Sequence, residues 1–197
     1  MCGISGYVGT RTNAGQLVID GIKNLEYRGY DSWGVACKGN SDIAVEKGTG
    51  KVSAIDSNGF TQSCSQAIAH TRWATHGGVT EQNAHPHLST DRTIAVVHNG
   101  IIENYQELRD ELKKKGHTFL SETDTEVIPH LIEEEMKSTE DFASAVRKAC
   151  QKFEGRYALL AMHITSQTLV AARTGSPLIV GVAPNDGYFI ASDIPAF

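Results

Sequence analysis

The sequence predicts an α+β fold with two antiparallel sheets and helices on their outer faces. Short β-branched segments are followed by a group of helical segments and then by β-branched segments again, without the strand–helix–strand alternation that builds a parallel sheet. The chain has 197 residues, which is long enough for one domain whose core needs neither disulfide nor metal. We therefore expect residues 1–197 to form a single domain.

The first half of the chain combines several strands with one helix. A glycine-punctuated strand opens the sequence, and a helix then runs from Asn13 to about Leu25 with apolar residues on one face. The next strands are predicted at 34–38, 42–47, 67–71 and 93–98. Residues 73–92 are rich in His, Thr, Asn and Gly and form a long irregular segment, which in a compact domain often carries function.

Three helices and four strands complete the predicted fold. A helix at 104–115 ends at Gly116, and the spacing of Thr123 and Glu126 is that of a capping box for a helix toward Met136. We expect that helix to kink at Pro129, because an interior proline removes a donor and costs about 3 kcal/mol. A helix at 140–152 precedes strands at 157–164, 168–172, 178–182 and 188–192, with a hairpin turn at 184–187.

Composition and charge exclude several classes of protein. The net charge of -5 comes without a basic stripe, so we expect neither nucleic acid nor an anionic membrane as a partner. No apolar run is long enough to cross a bilayer, and no secretory leader is evident. The four cysteines are scattered and suggest a reducing compartment, so the expected location is the cytoplasm.

Cys2 stands directly after the initiator Met1. If Met1 is removed, which a small second side chain permits, residue 2 carries both a thiol and a free α-amine. The amine titrates at about 7.7–8.0 and a thiol at about 8.5, so the amine can accept the thiol proton near neutral pH. The product is a thiolate nucleophile. The alternative is an ordinary buried cysteine, and Cys2 alone does not decide between them.

Four further segments carry polar side chains where a predicted strand or helix ends. They are YRGYDS at 27–32, HTRWATHG at 70–77, HNG at 98–100 and SETDTE at 121–126. Together with Cys2, these segments resemble the class II glutamine amidotransferases, which are N-terminal nucleophile hydrolases. The resemblance extends from Cys2 to Asp193 and is stronger to the branch that transfers ammonia to fructose 6-phosphate than to the phosphoribosylpyrophosphate-dependent branch. It implies a four-layer αββα sandwich of two antiparallel sheets flanked by helices.

The resemblance also implies glutamine hydrolysis and a role for each matching residue. Cys2 would attack the side-chain amide, and Asn99 and Gly100 would hold the oxyanion. Arg72 would bind the α-carboxylate and Asp124 the α-ammonium group of the glutamine zwitterion. Taken singly, each has an ordinary explanation: a surface arginine, a carboxylate at a helix start, and an Asn-Gly turn.

The same resemblance places further residues around the pocket. Trp73, Thr75 and His76 would line the glutamine pocket or a mobile lid over it, and Arg28 would help to order the site near Cys2. One residue departs from the family's pattern, since Trp33 follows YRGYDS where a small residue is usual. We expect altered packing behind the first loop and no change in the chemistry.

Two other classes of function compete with this hypothesis. A metal site is conceivable from five histidines: His70, His76, His85, His87 and His98. No carboxylate or cysteine lies at the usual ligand spacing from them, so we expect no metal and no cofactor. The other competitor is a non-catalytic glutamine-binding module, although binding alone has no need of a thiol beside an α-amine.

The resemblance further implies that the chain is the glutaminase part of a longer protein. The family continues beyond Phe197 with the last strands of this domain and a sugar isomerase region. We therefore expect L-glutamine as the direct ligand, fructose 6-phosphate only through that isomerase region, and a homodimer for the full-length enzyme.

Overall fold

A computed structural model describes residues 2–55 and 63–197. Within those residues it contains ten strands and four α-helices. The strands form two sheets, and the helices pack on their outer faces. The predicted four-layer αββα sandwich is confirmed.

The first sheet has six strands, and all its neighbouring strands are antiparallel. In chain order they are β1 (Gly3–Gly9), β2 (Ser32–Lys38), β3 (Ile43–Thr49), β4 (Gln66–Arg72), β9 (Ile179–Ala183) and β10 (Gly187–Ala191). Their spatial order is β3-β2-β4-β1-β10-β9. Helix α1 (Ala14–Asn24) covers the outer face. Since Gly3 pairs with Thr71, the start of β1 lies beside the end of β4.

The second sheet has four antiparallel strands in the order β5-β6-β7-β8. They are β5 (His87–Leu88), β6 (Ile94–Gly100), β7 (Tyr157–His163) and β8 (Val170–Thr174). Three helices cover its outer face, namely α2 (Tyr105–Lys114), α3 (Val127–Met136) and α4 (Phe142–Cys150).

The apolar residues form three main clusters that hold the layers together. One cluster fills the space between the sheets and includes Ile4, Ile68, Val97 and Leu160. Successive side chains of a strand point to opposite faces of its sheet. The residues that alternate with this central cluster therefore belong to two outer clusters, one beneath α1 and one beneath α2 to α4. The sheets are therefore buried on both faces at their centres, and polar groups concentrate at the strand ends.

Most predicted elements are confirmed to within a few residues, and so are two turns. The amide of Asp186 donates to the carbonyl of Ala183 (3.0 Å), and Asn185 has a φ of 64°, as a tight hairpin requires. Gly116 follows α2 with a φ of 96°. The irregular segment after β4 contains only the short strand β5.

The capping box predicted for α3 is wrong, and the reason for expecting a kink at Pro129 does not hold. Its N-terminus has no side-chain cap, because the carboxylate of Glu126 instead accepts hydrogen bonds from the amides of Leu120 (2.8 Å) and Ser121 (2.7 Å). The helix begins at Val127, so Pro129 lies in its first turn. Backbone N–H groups in the first turn have no partner within the helix, so the proline removes no hydrogen bond there.

Trp33 lies on β2 opposite Gly48 of β3. A Cβ atom at Gly48 would come within 2.7 Å of the indole ring, so the glycine leaves the space that the ring occupies. The indole packs against the cluster beneath α1. The bulky residue is thus accommodated locally by its cross-strand neighbour.

Two further findings concern the helices and the cysteines. In the described part of the chain, no helix combines the length and apolar character needed to span a bilayer. The scattered spacing of the cysteines did not indicate a pair, but β2 and the segment before β4 bring Cys37 and Cys64 together as a disulfide with Cα atoms 6.0 Å apart. Cys2 and Cys150 are free thiols.

Candidate active site

The ends of three central strands bring the predicted site residues together. Cys2 precedes β1, Arg72 ends β4, Asn99 and Gly100 end β6, and Asp124 lies just before α3. One cavity between these ends is lined by seven of the predicted residues: Cys2, Arg72, Trp73, Thr75, His76, Gly100 and Asp124. His85, His98, Thr123 and Thr125, which the sequence analysis did not assign to the site, complete its wall.

The thiol of Cys2 faces the backbone of Trp73. The Trp73 amide donates to Sγ at 3.3 Å, and Sγ lies 3.6 Å from the Trp73 carbonyl oxygen. Burial raises the pKa of the Cys2 thiol, while the Trp73 amide and the charges of Arg72 and Arg28 act in the opposite direction. The balance leaves the thiol protonated at neutral pH, so the sulfur needs a base before it can attack.

The carbonyl oxygen of Cys2 is held by two donors. Nε of Arg28 and Nδ2 of Asn99 each lie 2.9 Å from it. Arg28 is buried and forms an ion pair with Asp193, with Nη1 and Oδ2 2.9 Å apart. Arg28 thus lies next to Cys2, as predicted. Asp193 was not predicted, because it is 165 positions away in sequence and meets Arg28 only when β10 pairs with β1.

His70 fixes the orientation of the Asn99 amide. Its Nε2 lies 2.9 Å from the carbonyl oxygen of His98 and 3.0 Å from Oδ1 of Asn99, and both partners are acceptors. Nε2 must therefore carry the ring proton, and the Asn99 nitrogen must point away, toward Cys2. Burial lowers the pKa of His70 to about 3, so the ring is neutral at physiological pH. From the sequence, His70 was a candidate only for a metal ligand.

Gly100 occupies a position that admits no side chain. Its φ is 123°, and a Cβ atom there would lie 2.1 Å from the carbonyl oxygen of Arg156. A glycine is needed both for the backbone angle and for the close approach of β7. This requirement explains why the strand end that carries Asn99 is followed by glycine.

Arg72 and Asp124 place opposite charges on the cavity wall. The buried guanidinium of Arg72 donates to the carbonyl oxygens of Gly78 (3.0 Å) and His76. Burial lowers the pKa of Arg72, but Asp124 and other negative groups oppose that effect, so the guanidinium stays charged. Oδ2 of Asp124, also buried, accepts a hydrogen bond from the amide of Ile102 (2.9 Å). A cation and an anion on one wall match a zwitterionic ligand.

The segment after β4 forms one wall of the cavity and is tied to the loop before α3. The side chain of Asn83 donates to the Gly78 carbonyl (3.0 Å) and to Glu122 (3.1 Å), and accepts from the Glu122 amide (2.9 Å). Trp73 is 44% exposed, so it is not a core aromatic; it packs edge-on against Tyr30. The cavity holds about 20 Å³, room for one water molecule.

Three of the five histidines weighed as metal ligands lie in contact, His70 stacked on His85 and His87 edge-on to it. The rings of His70 and His85 lie 4.0 Å apart, and those of His85 and His87 lie 4.9 Å apart. Burial holds the pKa of His85 and of His87 well below its usual range. Across residues 2–55 and 63–197, these histidines do not converge with a carboxylate or thiolate in a metal-binding arrangement.

Comparison with protein families identifies one match. Residues 70–197 match the family described as "Glutamine amidotransferase domain". Two similar curated proteins are both named "Glutamine--fructose-6-phosphate aminotransferase [isomerizing]". The one from Streptomyces coelicolor is 49% identical over 201 residues, and the one from Thermococcus kodakarensis is 48% identical over 200 residues. Each match covers 100% of this chain but only 32% and 33% of those proteins, so the chain spans about a third of their length.

Comparison with solved structures gives the same kind of match. A glutamine phosphoribosylpyrophosphate amidotransferase from B. subtilis, complexed with ADP and GMP, superposes with a TM-score of 0.84 at 27% identity. That match covers 100% of this chain and 43% of the other. A predicted glutamine amidotransferase from Pseudomonas aeruginosa has a TM-score of 0.58 at 14% identity over 98% of this chain and 85% of the other, and it supports the fold alone.

Proposed function

The chain belongs to the glutamine amidotransferase domain family, and from that premise we propose that it hydrolyses L-glutamine to glutamate and ammonia with Cys2 as the nucleophile. One observation carries the proposal: seven residues assigned from the sequence, Cys2 among them, line a single cavity. Residues separated by up to 122 positions meet there only because of the fold. A buried cysteine without function has no need of such surroundings.

The substrate would be held by its charged ends. Arg72 binds the α-carboxylate with its planar pair of donors, and Asp124 binds the α-ammonium group. The Arg72 donors that now meet the carbonyls of the 73–83 segment would turn to the substrate when that segment opens. Trp73, Thr75 and His76 then close over the bound glutamine and exclude water.

The reaction needs a base and an oxyanion site. After removal of Met1, which lies outside the described residues, the α-amine of Cys2 takes the thiol proton directly or through water. The thiolate attacks the side-chain carbonyl, and the oxyanion receives hydrogen bonds from Asn99 and from the Gly100 amide. An amide nitrogen carries two hydrogens, so Asn99 can serve both the Cys2 carbonyl and the oxyanion. Ammonia leaves, and water hydrolyses the γ-glutamyl thioester.

We further propose that this chain is the glutaminase domain of a larger cytoplasmic enzyme that converts fructose 6-phosphate to glucosamine 6-phosphate. The identity of 48–49% to the aminotransferases exceeds the 27% to the phosphoribosylpyrophosphate amidotransferase, which supports the first acceptor over the second. The larger enzyme would be a homodimer. Fructose 6-phosphate would bind outside this chain.

The experiment is a glutaminase assay on the chain, paired with intact-mass measurement of its N-terminus. We expect glutamate and ammonia in equal amounts from protein that lacks Met1, and no turnover from Cys2→Ala with an unchanged circular dichroism spectrum. Turnover by Cys2→Ala would exclude the nucleophile, and turnover by protein that keeps Met1 would exclude the amine as base. Glutamine binding without any turnover would favour the non-catalytic module.

The acceptor needs a separate measurement. We expect this chain to form no glucosamine 6-phosphate when fructose 6-phosphate is added with glutamine. Formation of that product by the chain alone would contradict the proposed division between glutaminase and isomerase regions.

A further inference from the structure

A second cluster of titratable side chains lies away from the active site, where the end of α2 meets α3. His117 follows α2, and His130 and Glu133 lie one turn apart on α3. Nδ1 of His117 lies 3.3 Å from Nδ1 of His130 and 3.3 Å from Oε2 of Glu133, and the last two atoms are 3.7 Å apart. Both histidines are buried, at 8% and 2% exposure.

These distances suit a metal ion better than they suit direct contact. A triangle with sides of 3.3, 3.3 and 3.7 Å has a point about 2 Å from each corner, which is the usual length of zinc bonds to histidine nitrogen and carboxylate oxygen. Two imidazole nitrogens at 3.3 Å, by contrast, are at the long end for a hydrogen bond.

The outer nitrogen of each ring faces a carboxylate. Nε2 of His117 lies 2.8 Å from Oε1 of Glu134, so in the neutral ring the proton sits on Nε2 and the lone pair of Nδ1 faces the cluster. Nε2 of His130 lies 3.9 Å from Glu126 and has no hydrogen-bond partner in the described residues. In a neutral ring with its proton on that nitrogen, the lone pair again lies on Nδ1. Carboxylates behind metal-bound histidines fix the ring tautomer in this way.

The carboxylate of Glu133 and the hydroxyl of Thr90 are also held in place. Oε2 and Oε1 of Glu133 accept the amides of Thr90 (3.0 Å) and Asp91 (3.2 Å). Oγ1 of Thr90 lies 3.0 Å from Nδ1 of His117 and 3.1 Å from Nδ1 of His130, next to the same point. Thr90 and His130 also line a cavity of about 670 Å³, which offers an entry path and room for a water ligand.

From these contacts we propose that His117, His130 and Glu133 bind a divalent zinc-type cation, with water or the Thr90 hydroxyl as fourth ligand. Two histidines and one carboxylate are a ligand set that zinc accepts. The ion would join the end of α2 to α3 across the segment that carries Asp124, so its role is structural. The proposal is independent of the glutaminase reaction. It departs from the expectation of no metal and no cofactor, which was argued from another set of histidines.

The test is zinc binding by calorimetry after dialysis against a chelator. The chain is used with Cys2→Ser, so that the nucleophilic thiol does not bind the ion. We expect one Zn²⁺ per chain, a raised melting temperature, and, with Co²⁺, the visible absorption of a tetrahedral site. His117→Asn and Glu133→Gln should each weaken binding by at least about tenfold, since even outer-shell partners contribute 10–100-fold.

Matched controls separate this site from general zinc binding. His163→Asn and Glu135→Gln change a histidine and a neighbouring α3 carboxylate that contact Thr165 and Lys152 instead, and both should bind Zn²⁺ like the parent. If a ligand variant unfolds, Glu134→Gln tests the site instead. It removes the carboxylate that is hydrogen-bonded to Nε2 of His117, so it should weaken Zn²⁺ binding without removing a ligand. Absence of stoichiometric binding in the parent, or equal affinity in His117→Asn, Glu134→Gln and the controls, would overturn the proposal.

Discussion

Nε2 of His70 donates to Oδ1 of Asn99 over 3.0 Å, and this contact determines which face of the Asn99 amide meets Cys2. Without it, the amide could turn by 180° and present an acceptor to the developing oxyanion. His70 does not line the cavity, so it acts on the reaction only through Asn99 and is a positioning residue.

The first prediction follows from this contact. Asn99→Ala should lower kcat by about 10²–10³-fold, the usual cost of one oxyanion donor, and leave KM nearly unchanged. His70→Ala should give a smaller loss of kcat, and the double variant should lose little more than Asn99→Ala alone, because both changes remove the same hydrogen bond. His70→Gln, which keeps a donor, should recover part of the rate. Additive losses in the double variant would mean that His70 acts elsewhere.

The second prediction concerns Gly100. Gly100→Ala should lower the free energy of unfolding by about 1–2 kcal/mol for its positive φ and by a further 1–3 kcal/mol, roughly, for contact with the Arg156 carbonyl. It should also lower kcat, because the Gly100 amide moves. Gly116→Ala is the matched control: its φ is also positive, but nothing lies within 4 Å of the added Cβ. Urea unfolding and steady-state assays measure both effects. Equal behaviour of the two variants would be contrary to this account.

The third prediction separates the two charged groups of glutamine. Arg72→Lys should raise KM for glutamine, because a lysine cannot make the bidentate contact, and Arg72→Ala should no longer discriminate against a glutamine whose α-carboxylate is an amide. Asp124→Asn should instead lose discrimination against N-acetylglutamine. The comparison of kcat/KM for the three substrates assigns each group, and an exchange of the two patterns would reverse the proposed orientation.

The fourth prediction concerns stability at acid pH. Burial lowers the pKa of His70 to about 3 and that of His85 well below its usual range, whereas an unfolded histidine titrates near 6.5. Between these values the unfolded chain binds protons that the folded chain does not, so stability falls with falling pH below about 6.5, by up to about 1.4 kcal/mol per pH unit for each histidine. Above about pH 7 both states are neutral and the contribution vanishes.

The measurement for this prediction is the urea unfolding free energy at pH 7.5 and 5.5. His130 opposes the trend: although its burial acts to lower its pKa, the nearby carboxylates of Glu126 and Glu133 raise it overall, so its stabilisation is present below pH 6.5 and is lost as pH rises. His130 is present in both the parent and His85→Gln, so its contribution cancels when the two proteins are compared. The variant should lose less stability between the two pH values than the parent, and an unchanged difference would contradict the assignment to His85.

Most of the fold could be predicted because its signals are local. Apolar alternation marks the strands, and Gly116 and the turn at 184–187 depend on neighbouring residues. The predicted cap of α3 was wrong because it relied on a local signal alone. The spacing of Thr123 and Glu126 fits a capping box, but the Glu126 carboxylate accepts hydrogen bonds from the preceding loop instead. The hydrogen bonds of Glu126 to that loop outweigh the capping-box spacing.

The site shows a similar division. Residues within the four motifs could be named, and the cavity brings most of them together. The partners that support them could not be named. His70 meets Asn99 only through the packing of one sheet on the other, and Asp193 meets Arg28 only through the pairing of β1 with β10. The Cys37–Cys64 pair likewise depends on the position of a strand relative to a distant segment.

The two hydrogen bonds to the Cys2 carbonyl bear on where an affinity tag can be placed. Arg28 and Asn99 fix residue 2 by its main chain, so the start of β1 has one position in the fold. An affinity tag fused ahead of Cys2 would leave that position and the fold intact while converting the proposed base into an amide. Such a preparation would be well folded and inert, and a tag for purification belongs at the other end of the chain.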